Sequence, residues 1–184
     1  MITYGLFYKL IIILIFIPFI ISNIRRKKSI YFHTVFLGFM IYVVFLVGVL
    51  FFPVIYDKNI IFYSEETVKY LNLIPLDTII SIIEYDPSLI ISQILGNIII
   101  FIPLGFFLPI FSSKIKSLAN CFVAVLLISS SIEIIQLLLD LIIIKSYRVC
   151  DIDDIILNVS GGMCGFILYR FANKWFKIND QLSR

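Results

Sequence analysis

"RVCDIDDIILNVSGGMCGF", residues 148–166, sets one arginine, three aspartates and an asparagine directly ahead of, and into, an otherwise apolar helical run. In a bilayer a carboxylate at depth costs about 2.5–3.5 kcal/mol even on the lenient insertion scale, so it is normally turned into the protein and paired. The stretch therefore predicts a membrane helix whose outer end closes a polar site.

Composition agrees with a membrane setting. Of 184 residues, 61% are hydrophobic and 15% charged, with mean hydropathy +1.06, far from the balance of a soluble domain. No long polar segment offers a second core, so a single all-α membrane domain is expected over residues 1–184. A hydrocarbon core of about 30 Å takes about 20 helical residues, and five runs approach that length: 4–22, 31–56, 89–111, 118–139 and 155–171. The last is the shortest and carries Asn158, Ser160, Gly161, Gly162 and Gly165. The first reads as a retained span rather than a signal peptide, because its basic cluster Arg25 to Lys28 follows the apolar stretch and no small-residue cleavage pattern comes next.

Charge orients the spans. Arg25, Arg26, Lys27, Lys28, Lys114, Lys116, Arg170, Lys174, Lys177 and Arg184 fall in alternate loops and the tail, accompanied there by a single acid, Asp180. The positive-inside rule assigns these to the cytoplasm, with the amino terminus outside and the carboxyl terminus inside. Tyr169 and Trp175 near the inner boundary, and Tyr56, Tyr85 and Tyr147 near the outer one, suit aromatic belts. The outer segment 57–88 contains "VKYLNLIPLDTIISIIEYD", too short in apolar positions to cross and better suited to an interfacial amphipathic helix starting at Pro75. It reads equally as a roof over the bundle or as a linker.

Depth then sorts the polar residues. Glu133, Gln136 and Asp140 stand three and four apart, on one helix face; Glu133 lies about 10 Å below Asp140 at 1.5 Å per residue. Asn97 enters the third run to a similar depth, and Asp151, Asp154 and Asn158 share a face of the fifth. A cluster of Asn97, Glu133, Gln136, Arg148, Asp151, Asp154 and Asn158 is expected, open to the outside, with Arg148 as counter-ion to the acids. Gly161 and Gly165 form a small-xxx-small pair that admits a neighbouring backbone, and Pro103 and Pro109 are expected to bend the third run.

The order "NLIP" (72–75), "GNIIIFIPLGFFLP" (96–109), "SIEIIQ" (131–136) and "RVCDIDDIILNVSGGMCGF" (148–166) resembles the successive signatures of the VanZ-like membrane proteins, over roughly residues 30–170. The resemblance implies a small bacterial polytopic protein of a family named for a member associated with low-level teicoplanin resistance. Its characteristic polar positions fall on the seven residues that depth selects.

Other chemistries find little footing. His33 is the sole histidine, Cys121, Cys150 and Cys164 lie at three depths, and no zinc spacing or phosphate-cradling loop appears. Asp151, Asp153 and Asp154 suit either an oxygen-ligated cation or helix capping. No cofactor, metal or nucleic acid is indicated. Three functional readings follow: an outer pocket recognising the head group of an envelope lipid or lipoglycopeptide; an enzyme acting on a lipid-linked envelope component with Glu133 or Asp154 as acid or base; and a scaffold whose polar cluster fixes helix register.

Overall fold

The computed structural model describes residues 7–25, 29–51, 71–143 and 149–178. Along the chain these form α1 (Phe7–Arg25), α2 (Ile30–Phe51), β1 (Leu71–Asn72), α3 (Asp77–Tyr85), α4 (Gly96–Phe111), α5 (Leu118–Ile143), β2 (Cys150–Asp151) and α6 (Ile152–Phe176). Among the described residues, four continuous helical stretches are long and apolar enough to cross a membrane: Ile30–Phe51, Pro87–Phe111, Leu118–Leu141 and Ile152–Phe176. The expected all-α polytopic architecture is the one observed. The 19-residue α1 is a further apolar helix.

The chain divides into two compact units, Met1–Asp57 with Phe171–Arg184, and Lys58–Arg170. In the first, α1 and α2 meet through rings: Phe16 lies edge-on to Phe36 and Phe39 at centroid distances of 5.7 and 6.2 Å, and Phe19 approaches Phe36 to 4.7 Å. Polar side chains on these helices turn back onto their own backbone, as lipid demands. Asn23 donates to the Phe19 carbonyl and Thr34 to the Ile30 carbonyl.

The second unit holds α3, α4, α5 and the body of α6. The stretch Pro87–Phe111 begins as a 3-10 turn over Pro87–Leu89 and a π-helical segment over Ile90–Leu95, where the Gly96 N–H reaches the Ile91 carbonyl five residues back. From there α4 runs through Pro103 and Pro109 without interruption.

Glycine fixes the packing. A Cβ built on Gly161 would lie 2.0 Å from the Ile98 carbonyl oxygen, and one on Gly165 would lie 1.9 Å from that of Ile102. On the facing helix, a Cβ on Gly105 would lie 1.8 Å from the Gly162 carbonyl oxygen. These two backbones touch, which only residues lacking a side chain permit. Residue numbers rise together along the contact, from Ile98 with Gly161 to Phe106 with Tyr169, so α4 and α6 run parallel. By contrast α5 is antiparallel to α6: Val125 packs at Gly162 and Ser129 bonds to Asn158.

Three expectations need correction. The fifth span is 25 residues long rather than 17, because its glycines and Asn158 are buried against neighbouring helices and its start is extended by a side-chain cap from Asp151. Tyr169 is 7% exposed and packs on Phe106 and Phe166 rather than sitting in a belt. Pro75 precedes its helix instead of opening it: α3 begins at Asp77, and Leu76 before it adopts a left-handed backbone with φ 69°. Tyr56 and Tyr147 lie outside the described residues.

The packing generates a direct test. Gly161→Ala and Gly165→Ala should each destabilise the detergent-solubilised protein by about 1–3 kcal/mol through overpacking. Gly96→Ala, whose Cβ would meet nothing nearer than the Ile91 carbonyl oxygen at 3.7 Å, should stay within about 0.5 kcal/mol of wild type. Thermal unfolding followed by a dye-free fluorescence scan separates the two classes.

Candidate functional site

A stripe on α5 supplies one wall. Cys121, Val125, Ser129, Glu133 and Gln136 are its buried positions, at spacings of four, four, four and three, which keep them on one face. Polar groups occupy the end nearest the α5 carboxyl terminus, with Glu133 5% and Gln136 8% exposed. Asp140 continues the stripe half-buried.

Opposite, the chain enters α6 through a two-residue parallel pairing that aligns Leu71 with Cys150 and Asn72 with Asp151. Asp151 accepts the Asp153 N–H at 2.9 Å, acting as the N-cap of α6. Its other carboxylate oxygen accepts the Thr78 hydroxyl at 2.5 Å and the Asn72 amide at 3.4 Å, and Asn72 also donates to Thr78 at 2.8 Å. The Asp151 N–H in turn donates to Glu133 at 3.3 Å.

Asp153, 1% exposed, reaches the backbone of the same segment. Its carboxylate takes the Leu76 N–H at 2.5 Å and the Thr78 and Ile79 N–H groups at 2.9 and 3.1 Å. These are the donors that the start of α3 leaves without intrahelical acceptors. No side chain of the α3 N-cap residue itself satisfies them. An aspartate more than seventy residues away does so instead, and its negative charge sits at the positive end of the α3 dipole.

Asp154 faces α4. Asn97, half-buried two residues beyond the π segment, donates to it at 2.5 Å. One turn deeper, Asn158 is 2% exposed and donates to the Ser129 hydroxyl at 3.0 Å; its amide oxygen has no hydrogen-bond partner among the described residues. Of the seven residues expected at the site, Asn97, Glu133, Gln136, Asp151, Asp154 and Asn158 line the facing surfaces of α4, α5 and the β2–α6 corner, while Arg148 lies outside the described residues.

Four participants had no part in the expected cluster: Asn72, Thr78, Ser129 and Cys150. Ser129 was accessible from its place one turn before Glu133. Asn72 stands in the "NLIP" stretch, but its pairing with Asp151 crosses 79 positions and leaves no local pattern. Asp153 proves to be a cap, and to cap α3 rather than its own helix. Among the described residues no group of three or more His, Cys, Asp or Glu side chains is arranged to hold a metal ion.

Cys150 reports on the electrostatics. It is a free, half-buried thiol just ahead of α6, and its pKa is raised, first by burial and then by the charges of Glu133, Asp151 and Asp154. Three carboxylates thus bear on one point.

These observations define a polytopic helical membrane protein with a dense carboxylate and amide cluster where α5 ends and α6 begins. The family model described as VanZ/LLP1 matches residues 39–173, and the chain belongs to that family. Protein VanZ of Enterococcus faecium is 38% identical over 82 residues, 45% of this chain and 47% of that protein, so the match spans about half the relative's length. No solved structure matches.

Two outcomes test the site's construction. Asp153→Ala should cost about 1–3 kcal/mol by orphaning buried N–H groups, and Asp153→Asn less, since one acceptor oxygen remains; chemical denaturation in detergent gives the order. In a Cys164→Ala background, Glu133→Gln should accelerate alkylation of Cys150 at a fixed pH below the thiol pKa. Removing a carboxylate lowers that pKa and enlarges the thiolate fraction, which is the reacting form.

Proposed function

We propose that the cluster forms a binding pocket at the outer face of the membrane, recognising the polar head group of a cell-envelope lipid or of a lipoglycopeptide antibiotic and contributing to teicoplanin-type resistance. The orientation follows from the basic loops, which assign the α5–α6 junction to the outside. Membership of the VanZ/LLP1 family and the similarity to Protein VanZ favour the resistance role.

The observation that carries the reading is the convergence of carboxylates and amides from α4, α5 and α6, among which the buried Asn158 amide oxygen has no hydrogen-bond partner among the described residues. Asp151 and Asp153 are engaged by the Asn72–Ile79 segment and by the start of α6. Glu133 and Asp154 stand on α5 and α6 around Cys150, Glu133 accepting the Asp151 N–H and Asp154 the Asn97 amide. Fixing helix register needs far less: interhelical side-chain hydrogen bonds in membranes average about 0.6 kcal/mol. Carboxylates and amides on three helices suit a ligand bearing hydroxyl, amide or amine donors, and Arg148, adjacent in sequence, supplies a planar fork for a phosphate or carboxylate.

In a susceptible host expressing the protein, Glu133→Gln and Arg148→Ala should abolish teicoplanin protection at unchanged membrane abundance. Wild-type protection in both variants rejects the pocket.

A further inference from the structure

One feature of the first unit lies outside this site. Among the described residues, Pro18, Ile21, Ser22 and Arg25 border an open recess of about 540 Å³ along α1. Their spacing of three, four and seven places all four on one helix face, in an order that runs from apolar to hydroxyl to guanidinium as the helix approaches its end. Pro18, Ile21 and Arg25 are exposed and Ser22 is half-buried.

Charge is unbalanced here. The first aspartate or glutamate in the sequence is Asp57, whereas Arg25, Arg26, Lys27 and Lys28 all precede it. Among the described residues Arg25 makes no ion pair. An arginine in the last turn also complements the helix dipole, but the dipole does not explain a groove with a hydroxyl one turn before the cation.

We propose that this groove holds an anionic phospholipid, its phosphate bound between the Ser22 hydroxyl and the Arg25 guanidinium and an acyl chain lying over Ile21 and Pro18. The guanidinium fork matches two phosphate oxygens and the hydroxyl donates to a third. Below it, the exposed apolar pair continues the contact to the depth where the chain begins. The three cations that follow in the sequence raise the local concentration of anionic lipid, at about 1 kcal/mol each near a charged surface.

Full-length protein in nanodiscs of mixed phosphatidylglycerol and phosphatidylcholine, released into native mass spectrometry, provides the readout. Wild type should retain phosphatidylglycerol in preference to phosphatidylcholine. Arg25→Gln should weaken that retention about tenfold, as expected for loss of a charge-assisted pair, with Ser22→Ala and Arg25→Lys intermediate, and Lys28→Gln less than about twofold. Equal losses for Arg25→Gln and Lys28→Gln would mean a diffuse surface potential and overturn the site. Retention of both lipids alike would mean an unselective apolar groove, and displacement by excess inorganic phosphate would mean a free-anion site; either also overturns it. The wild-type comparison stands even if a variant fails to fold.

Discussion

The contact of α4 with α6 through bare backbone is the constraint on which the site depends. Lipid tails are as apolar as leucine, so nothing resembling the hydrophobic effect presses two membrane helices together; close van der Waals packing has to do it. Gly161 and Gly165 let the Ile98 and Ile102 carbonyls approach within what would be side-chain volume. That approach sets the register in which Asn97 meets Asp154 at one end and Phe106 meets Tyr169 at the other. Moving α6 outward by the width of a methyl group would strain the Asn97 bond, and α5 would lose its fit at Gly162, where the Val125 methyls already occupy the space of a Cβ.

Four carboxylates near one membrane boundary would repel one another without positive potential close by. Two helix starts provide part of it. The start of α6 carries Asp151 as its cap and Asp153 and Asp154 in its first turn, and the start of α3 is closed over the Asp153 carboxylate. Partial positive charge at each helix start offsets the acids, and three backbone donors on Asp153 do so at hydrogen-bonding range. The left-handed conformation of Leu76 turns its N–H into that set, so a strained residue ahead of α3 is explained by the bond it makes.

How much of this could be read from the chain varies with sequence separation. The α5 stripe was legible because Glu133, Gln136 and Asp140 repeat with the helical period, and burial follows that face. The role of the glycines was legible for the same reason. What escaped reading was whatever depends on one segment meeting another far along the chain: Asn72 and Thr78 reaching Asp151, or Asp153 serving a helix other than its own. The brief parallel pairing that brings those segments together is two residues long, with no alternation to detect. The π segment before Asn97 likewise follows no apolar period, since one extra residue per turn shifts the face without altering composition.

The acids of "DIDD" illustrate how a short motif can address several partners at once. Asp151 is in extended backbone, where it caps the helix that follows and meets Asn72 and Thr78. Once the helix begins, successive side chains turn by about 100° at 3.6 residues per turn, so Asp153 and Asp154 diverge. One turns to the start of α3 and the other to Asn97 on α4. Neighbouring aspartates are thereby assigned different physical tasks by the passage from strand to helix. The acid that faces α4 shares its helix face with Asn158 one turn deeper, beside Ser129 of α5, and that face is the one proposed to meet a head group. Replacing Asp153 tests the anchoring of α3, whereas replacing Asp154 tests the proposed pocket, although the two residues are adjacent in the chain.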